Sequence, residues 1–139
     1  MIVGHGVDIT EVARIRDMVT KHGDRFLSRV FTAAERAYAQ DSAKRSTERL
    51  AVRFAAKEAA LKALGTGWSS GIAWTDIEVV SMPSGQPTLR VTGRAAAIAA
   101  DSGIASWLVS LSHTESHAVA SVIAQGRYDP PSVRSPKLS

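Results

Sequence analysis

The sequence predicts an α+β fold in a single domain, and three observations lead there. Helices and antiparallel strands fall in clusters along the chain. Residues 47–64 form one long stretch rich in Ala, Leu, Glu and Lys, all strong helix formers. Two pairs of short apolar segments, 76–81 with 88–92 and 106–112 with 118–124, are each joined by a compact polar turn. A length of 139 residues allows one domain with a real core and is short for two.

Taken in order, residues 1–8 alternate apolar and small side chains, which predicts a strand. Ile9, Val12, Ile15 and Val19 then fall at helical spacing, so a helix is expected over 9–19 with Asp8 or Thr10 as its cap. His22-Gly23-Asp24 breaks it, and 25–30 reads as a short turn or helix. Thr32 and Glu35 have the spacing of a capping box, which starts a helix running to about Gln40. Residues 41–47 are polar and loop-like. The long helix over 47–64 ends at Gly65 and Gly67. A Gly/Ser loop with two tryptophans covers 68–74, and Pro83-Ser84-Gly85-Gln86-Pro87 is a turn between the first strand pair. An Ala-rich helix is expected over 93–101, and His113-Thr114-Glu115-Ser116-His117 joins the second pair. Residues 126–139, with three prolines and no apolar period, are expected to be a disordered tail.

Composition excludes several classes. No apolar run approaches the roughly 20 residues that span a membrane. The N-terminus meets an acid at Asp8 and lacks a basic leader region, so no signal peptide is expected. Without cysteine there is no disulfide framework, thiolate metal site or thiol nucleophile, and residence in the cytoplasm fits best. The net charge is +4, with most of the basic residues between Arg14 and Lys62. Such a surface suits a phosphorylated ligand, an acidic protein or nucleic acid. A nucleic-acid module would interleave aromatics with its basic residues. Trp68, Trp74 and Trp107 all lie outside the basic stretch, so no nucleic-acid partner is expected.

The chemistry centres on Glu58. At about 100° per residue, Leu50, Phe54, Leu61 and Leu64 share one stripe of the long helix, and Glu58 falls inside that arc between Lys57 and Lys62. A carboxylate facing a core costs on the order of several kcal/mol unless it is paired or binds a cation. Pairing with Lys62, one turn on, would supply only about 0.3–0.5 kcal/mol at a surface. If Glu58 meets Asp8 in space, the two make a hard-cation site of the kind that holds Mg²⁺ together with substrate phosphates. Lys57, Lys62 and Arg53 would then neutralise phosphate oxygens. Taken by itself Asp8 also reads as an N-cap, with Glu11 completing the box. His113 could donate to a phosphate or move a proton, or could simply be a loop histidine. His113 and His117 have the spacing of a zinc pair, but that spacing needs a helix, so zinc is rejected.

These segments recur together in one known family. Gly6-Val7-Asp8-Ile9-Thr10-Glu11-Val12, Phe31-Thr32 with Glu35, Arg53-Phe54-Ala55-Ala56-Lys57-Glu58-Ala59 with Lys62-Ala63-Leu64-Gly65, Gly85-Gln86-Pro87 and Ser110-Leu111-Ser112-His113-Thr114 keep one order and one set of spacings. From about residue 2 to 124 the chain closely resembles the holo-[acyl-carrier-protein] synthases, the small phosphopantetheinyl transferases. The resemblance implies a transferase domain over 1–125, an antiparallel sheet packed with a long helix, followed by the tail over 126–139. It implies transfer of the 4′-phosphopantetheine arm of coenzyme A to a serine of acyl carrier protein, for fatty acid biosynthesis, with adenosine 3′,5′-bisphosphate as the other product. Mg²⁺ would be held by Asp8 and Glu58. Lys57, Lys62, Gly85, Pro87, His113 and Thr114 fall on coenzyme A contacts. Glu58, Lys62 and His113 carry the catalytic roles, with Glu58 as first candidate for the serine's base and His113 as second. Arg14, Lys21 and Arg25 fall on the surface that docks the acidic carrier protein. The family's small members are homotrimers with sites between subunits, so the loops of one chain could serve a neighbour's Asp8 and Glu58. A rival within the same chemistry is a pyrophosphate hydrolase acting on coenzyme A.

Overall fold

A computed structural model describes residues 1–68 and 70–128. The elements are β1 (Ile2–Glu11), α1 (Val12–His22), α2 (Asp24–Val30), α3 (Ala33–Gln40), α4 (Ser46–Leu64), a short 3₁₀ turn (Trp74–Asp76), β2 (Ile77–Ser81), β3 (Pro87–Val91), α5 (Gly93–Asp101), β4 (Ile104–His113) and β5 (His117–Gly126). β1, β5 and β4 form an antiparallel sheet with β5 in the middle, and β2 pairs with β3 in a separate antiparallel ribbon. The α+β expectation is met in this arrangement.

α4 is the centre of the molecule. Its Ala51, Ala55, Ala56, Ala59 and Ala60 are fully buried, and so are Ala118, Ala120, Val122 and Ala124 on β5. Small side chains on both surfaces let helix and sheet approach closely. Gly4 and Gly6 on β1 make the approach closer still. A β-carbon on Gly4 would collide with the Ala63 carbonyl oxygen, and one on Gly6 with that of Ala59. α4 is therefore buried nearly all round, as a central helix is. The single apolar stripe expected from the sequence is not the arrangement found, because sheet, α1, α3 and β2 all pack on this helix.

Two further expectations are corrected. β1 continues past Asp8 to Glu11, because Ile9, Thr10 and Glu11 go on pairing with Val119, Ala118 and His117 of β5. α1 accordingly starts at Val12 and runs to His22. Neither Asp8 nor Thr10 caps it. The residue before the helix is Glu11, which makes no side-chain cap, and the first helical N–H, of Val12, donates to the Ser116 carbonyl (2.9 Å) from the β4–β5 turn. Gly126, assigned to the tail, is the last residue of β5, and its N–H donates to the Met1 carbonyl (2.7 Å). Residues 129–139 of the expected tail lie outside the described residues.

The capping box at α3 forms as read: Glu35 N donates to Thr32 Oγ1 (3.2 Å) and Thr32 N donates to Glu35 Oε1 (3.0 Å). The same Oε1 sits 2.8 Å from Lys57 Nζ, and Oε2 accepts from Val79 N (3.1 Å). Lys57 also donates to the carbonyls of Trp74 (3.2 Å) and Ile77. Both side chains are buried, at 0% and 1% exposure. Burial pulls the Lys57 pKa below its ordinary value, and the Glu35 carboxylate opposes that shift. Removing one member of a buried ion pair strands the other. Lys57→Met should therefore lower the unfolding free energy by about 3–5 kcal/mol in urea denaturation. The paired change Lys57→Met with Glu35→Leu should lose clearly less.

Candidate active site

Asp8 lies on the face of β1 that packs against α4, opposite Ala120. Its two oxygens have different partners. Thr10 Oγ1 donates to Oδ2 (2.8 Å), and Lys62 Nζ stands 3.4 Å from Oδ1 while also donating to the Val7 carbonyl (2.8 Å). Lys62 and Glu58 are one turn apart on α4, so both reach the same end of β1.

Glu58 is half-buried at the edge of the helix, not in its core-facing stripe. Burial raises its pKa above the ordinary glutamate value, and the negative charge of Asp8 raises it further. The Trp68 indole N–H, Arg14 and Lys62 work in the opposite direction. The N–H of Trp68 faces the carboxylate without closing a full hydrogen bond, so Nε1 is buried and unpaired. Two carboxylates thus share one small region with too little positive charge to satisfy both. They offer hard oxygen donors, which suit a small divalent cation. Among the described residues, no group of three or more His, Cys, Asp or Glu side chains could hold a metal unaided. Two carboxylates fit a cation whose remaining ligands are water and substrate oxygens.

Beside Glu58 opens a groove of about 390 Å³. Its floor is Met18, Phe26, Phe54 and Trp74, and Arg14, Arg25 and Arg29 line it as well. The Arg14 guanidinium lies 5.4 Å from the centre of the Phe54 ring. Lys21, the third expected docking residue, is exposed in the last turn of α1 and does not line this groove.

The remaining expected contacts divide. Lys57 is corrected: its ammonium is buried and committed to Glu35 and two carbonyls, so it cannot contact coenzyme A phosphates. His113 Nε2 stands 3.6 Å from Glu48 Oε2, in the first turn of α4. Glu48 and Glu58 are ten residues apart on that helix, about 15 Å at 1.5 Å per residue. One chain therefore does not bring His113 to the carboxylate pair. Thr114 shapes the turn after it, its Oγ1 accepting from the N–H of Ser116 (3.3 Å) and of His117 (3.1 Å). Gly85 holds φ +86° in the β2–β3 turn, where only glycine is unstrained, and its N–H donates to the Met82 carbonyl (2.8 Å). Pro87 lines a separate groove between β3 and β4 that includes Trp107 and Leu108 and none of the carboxylate site. The sequence reading missed Thr10 and Trp68 as site residues. It also missed the cluster in which Arg49 and Arg53 lie 4.3 and 4.0 Å from the Tyr38 ring centre.

The sequence profile of the 4′-phosphopantetheinyl transferase superfamily matches residues 4–122. The chain belongs to that family. Among curated relatives of this transferase, a holo-[acyl-carrier-protein] synthase of Koribacter versatilis is 50% identical over 125 residues, 90% of this chain and 99% of the relative. Among solved structures, holo-[acyl-carrier-protein] synthase of Neisseria meningitidis superposes with a TM-score of 0.81 at 32% identity, covering 90% of this chain and 99% of the other. The Bacillus anthracis synthase, solved in complex with CoA (3′,5′-ADP), superposes with a TM-score of 0.74 at 38% identity, covering 91% and 99%.

In the transferase the raised pKa of Glu58 has a consequence for stability. The folded chain holds that proton to higher pH than the unfolded chain does. The contribution of Glu58 to stability therefore falls as pH rises from below the ordinary glutamate value through the raised one. In metal-free buffer at pH 7, Glu58→Gln should melt at a higher temperature than the parent. The margin should close as the pH drops below the ordinary glutamate range, as followed by calorimetry.

Proposed function

We propose that this chain transfers the 4′-phosphopantetheine arm of coenzyme A to a serine of apo acyl carrier protein, releasing adenosine 3′,5′-bisphosphate. One observation carries the reading: Asp8, Glu58 and Lys62 converge, and Glu58 with Arg14 lines the adjoining basic groove, in a chain of this family. The serine oxygen forms a bond to the phosphorus that bears the pantetheine arm. The bond from that phosphorus to the bridging oxygen breaks, and the electron pair leaves with the bisphosphate. Asp8 and Glu58 would hold Mg²⁺, which when bound draws charge from the pyrophosphate and stabilises the leaving group. Lys62, exposed beside Asp8, adds positive charge to the same phosphates. Glu58 takes the serine proton as the general base.

The carrier protein docks over α1 and the adjoining groove. Arg14, Arg25 and the apolar floor suit an acidic amphipathic helix. We further propose a homotrimer. Val7, Ile9 and Leu108, on the sheet face turned away from α4, are 48%, 65% and 46% exposed, an apolar surface that a neighbouring chain would cover. A neighbour would also carry its Gly85–Pro87 and His113–Thr114 loops to this chain's carboxylates. No helix among the described residues is long and apolar enough to cross a membrane. The proposal places the reaction in the cytoplasm, as the cysteine-free composition leads one to expect.

Incubation with coenzyme A, Mg²⁺ and apo acyl carrier protein tests the reaction by intact-mass spectrometry. The carrier should gain one phosphopantetheine. Bisphosphate release without a change in the carrier would mean hydrolysis. Glu58→Gln should keep the fold and slow transfer by about 10²–10⁴-fold, the usual contribution of a positioned base. Arg14→Glu should raise the KM for the carrier several-fold while leaving that for coenzyme A near the parent value. Equal changes in both would remove Arg14 from the docking surface. Sedimentation should give three times the chain mass of 14.8 kDa, and a monomer would refute the trimer.

A further inference from the structure

Trp68 lies three residues past Gly65, the glycine that ends α4, and stacking fixes its ring. Its centroid lies 3.6 Å from that of Trp74, and Trp74 stacks on Phe54 at 5.1 Å with the planes 25° apart. Stacking would be served by any aromatic ring. What tryptophan adds is an N–H, and here that N–H is buried with no partner. A buried donor left unpaired is costly, so a site that retains one calls for an explanation. The group it faces is the Glu58 carboxylate.

Asp8 supplies the comparison. The hydroxyl of Thr10, 2% exposed, donates to one oxygen of Asp8 and leaves the other toward Lys62. A carboxylate held by a neutral donor on one oxygen presents the other in a fixed direction, and the donor brings no positive charge to repel a cation. Trp68 is the neutral donor beside Glu58, but unlike the bond of Thr10 to Asp8 its bond is not made.

We propose that Trp68 is a positioning residue: its indole N–H holds one oxygen of Glu58 so that the other is presented, with Asp8, to a divalent cation. The inference rests on the reading of Asp8 and Glu58 as the metal carboxylates. In the metal-free chain the bond is open, and cation binding draws Glu58 into the position that closes it.

The test uses the full chain with Mn²⁺ as probe and coenzyme A present, free Mn²⁺ being followed by electron paramagnetic resonance. Trp68→Phe keeps a ring for the stack and deletes the N–H. It should raise the Kd for Mn²⁺ about tenfold, the lower end of what such supporting contacts contribute, and leave the metal-free melting temperature near that of the parent. Glu58→Gln should abolish binding. Parent affinity in Trp68→Phe, with binding still lost in Glu58→Gln, overturns the role of Trp68 and leaves the metal reading standing. Parent affinity in Glu58→Gln overturns the metal reading and this inference with it. A second measurement covers the case in which Trp68→Phe folds poorly. Among the indole N–H signals of the three tryptophans, that of Trp68 should move downfield in the parent when Mg²⁺ is added. An unmoved signal at saturating Mg²⁺ overturns the proposal.

Discussion

Glu35 and Lys57 meet where water does not reach, and three parts of the molecule meet on them. Glu35 belongs to the start of α3, where its carboxylate also closes the capping box. Lys57 belongs to the middle of α4, and its remaining donors hold the carbonyls of Trp74 and Ile77. The second oxygen of Glu35 takes the N–H of Val79 in β2. Apart from the capping box, the polar contacts in this node tie one element to another. It also sets the rotation of α4 about its axis. With Lys57 turned inward, the next residue is carried about 100° round the helix. That places Glu58 at the edge of the core, facing Asp8.

The translation of α4 against the sheet has a different origin. Gly4 and Gly6 leave room for the carbonyls of Ala63 and Ala59, and the alanines of β5 continue the flat contact. The helix can sit this close only where both surfaces lack bulk. Closeness matters to the site because Asp8 is on the strand, and Glu58 and Lys62 are on the helix. A wider gap would separate the carboxylates and remove their mutual repulsion. The raised pKa of Glu58 follows from this packing, first through burial of the carboxylate and then through the charge of Asp8. Two oxygen donors crowded in this way suit a hard cation.

The polar part of the site adjoins an apolar one. Phe54 and Trp74 belong both to the aromatic stack beneath Trp68 and to the floor of the basic groove. One layer of rings therefore supports the carboxylate and shapes the surface proposed for the carrier. The loops with Pro87 and His113 stay apart from this layer within a single chain.

Much of this was written in the sequence. Thr32 and Glu35 predict their capping box, and the helix expected over 93–101 has those bounds in the structure, because such signals are local and depend on neighbours a few residues away. The ordered motifs also bring Asp8, Glu58 and Lys62 into one site. What the local signals missed was decided by pairing and packing across the chain. β1 pairs with β5, more than a hundred residues away, and that pairing carried the strand past Asp8 and removed its role as a cap. The charge buried in α4 proved to be Lys57 rather than Glu58, because periodicity describes a helix with one covered face and α4 is covered nearly all round. Residue types determined which chemistry the chain could offer. Only the tertiary structure decided which of two adjacent charges is spent on the core and which remains for the site, since that choice depends on where Glu35 lies.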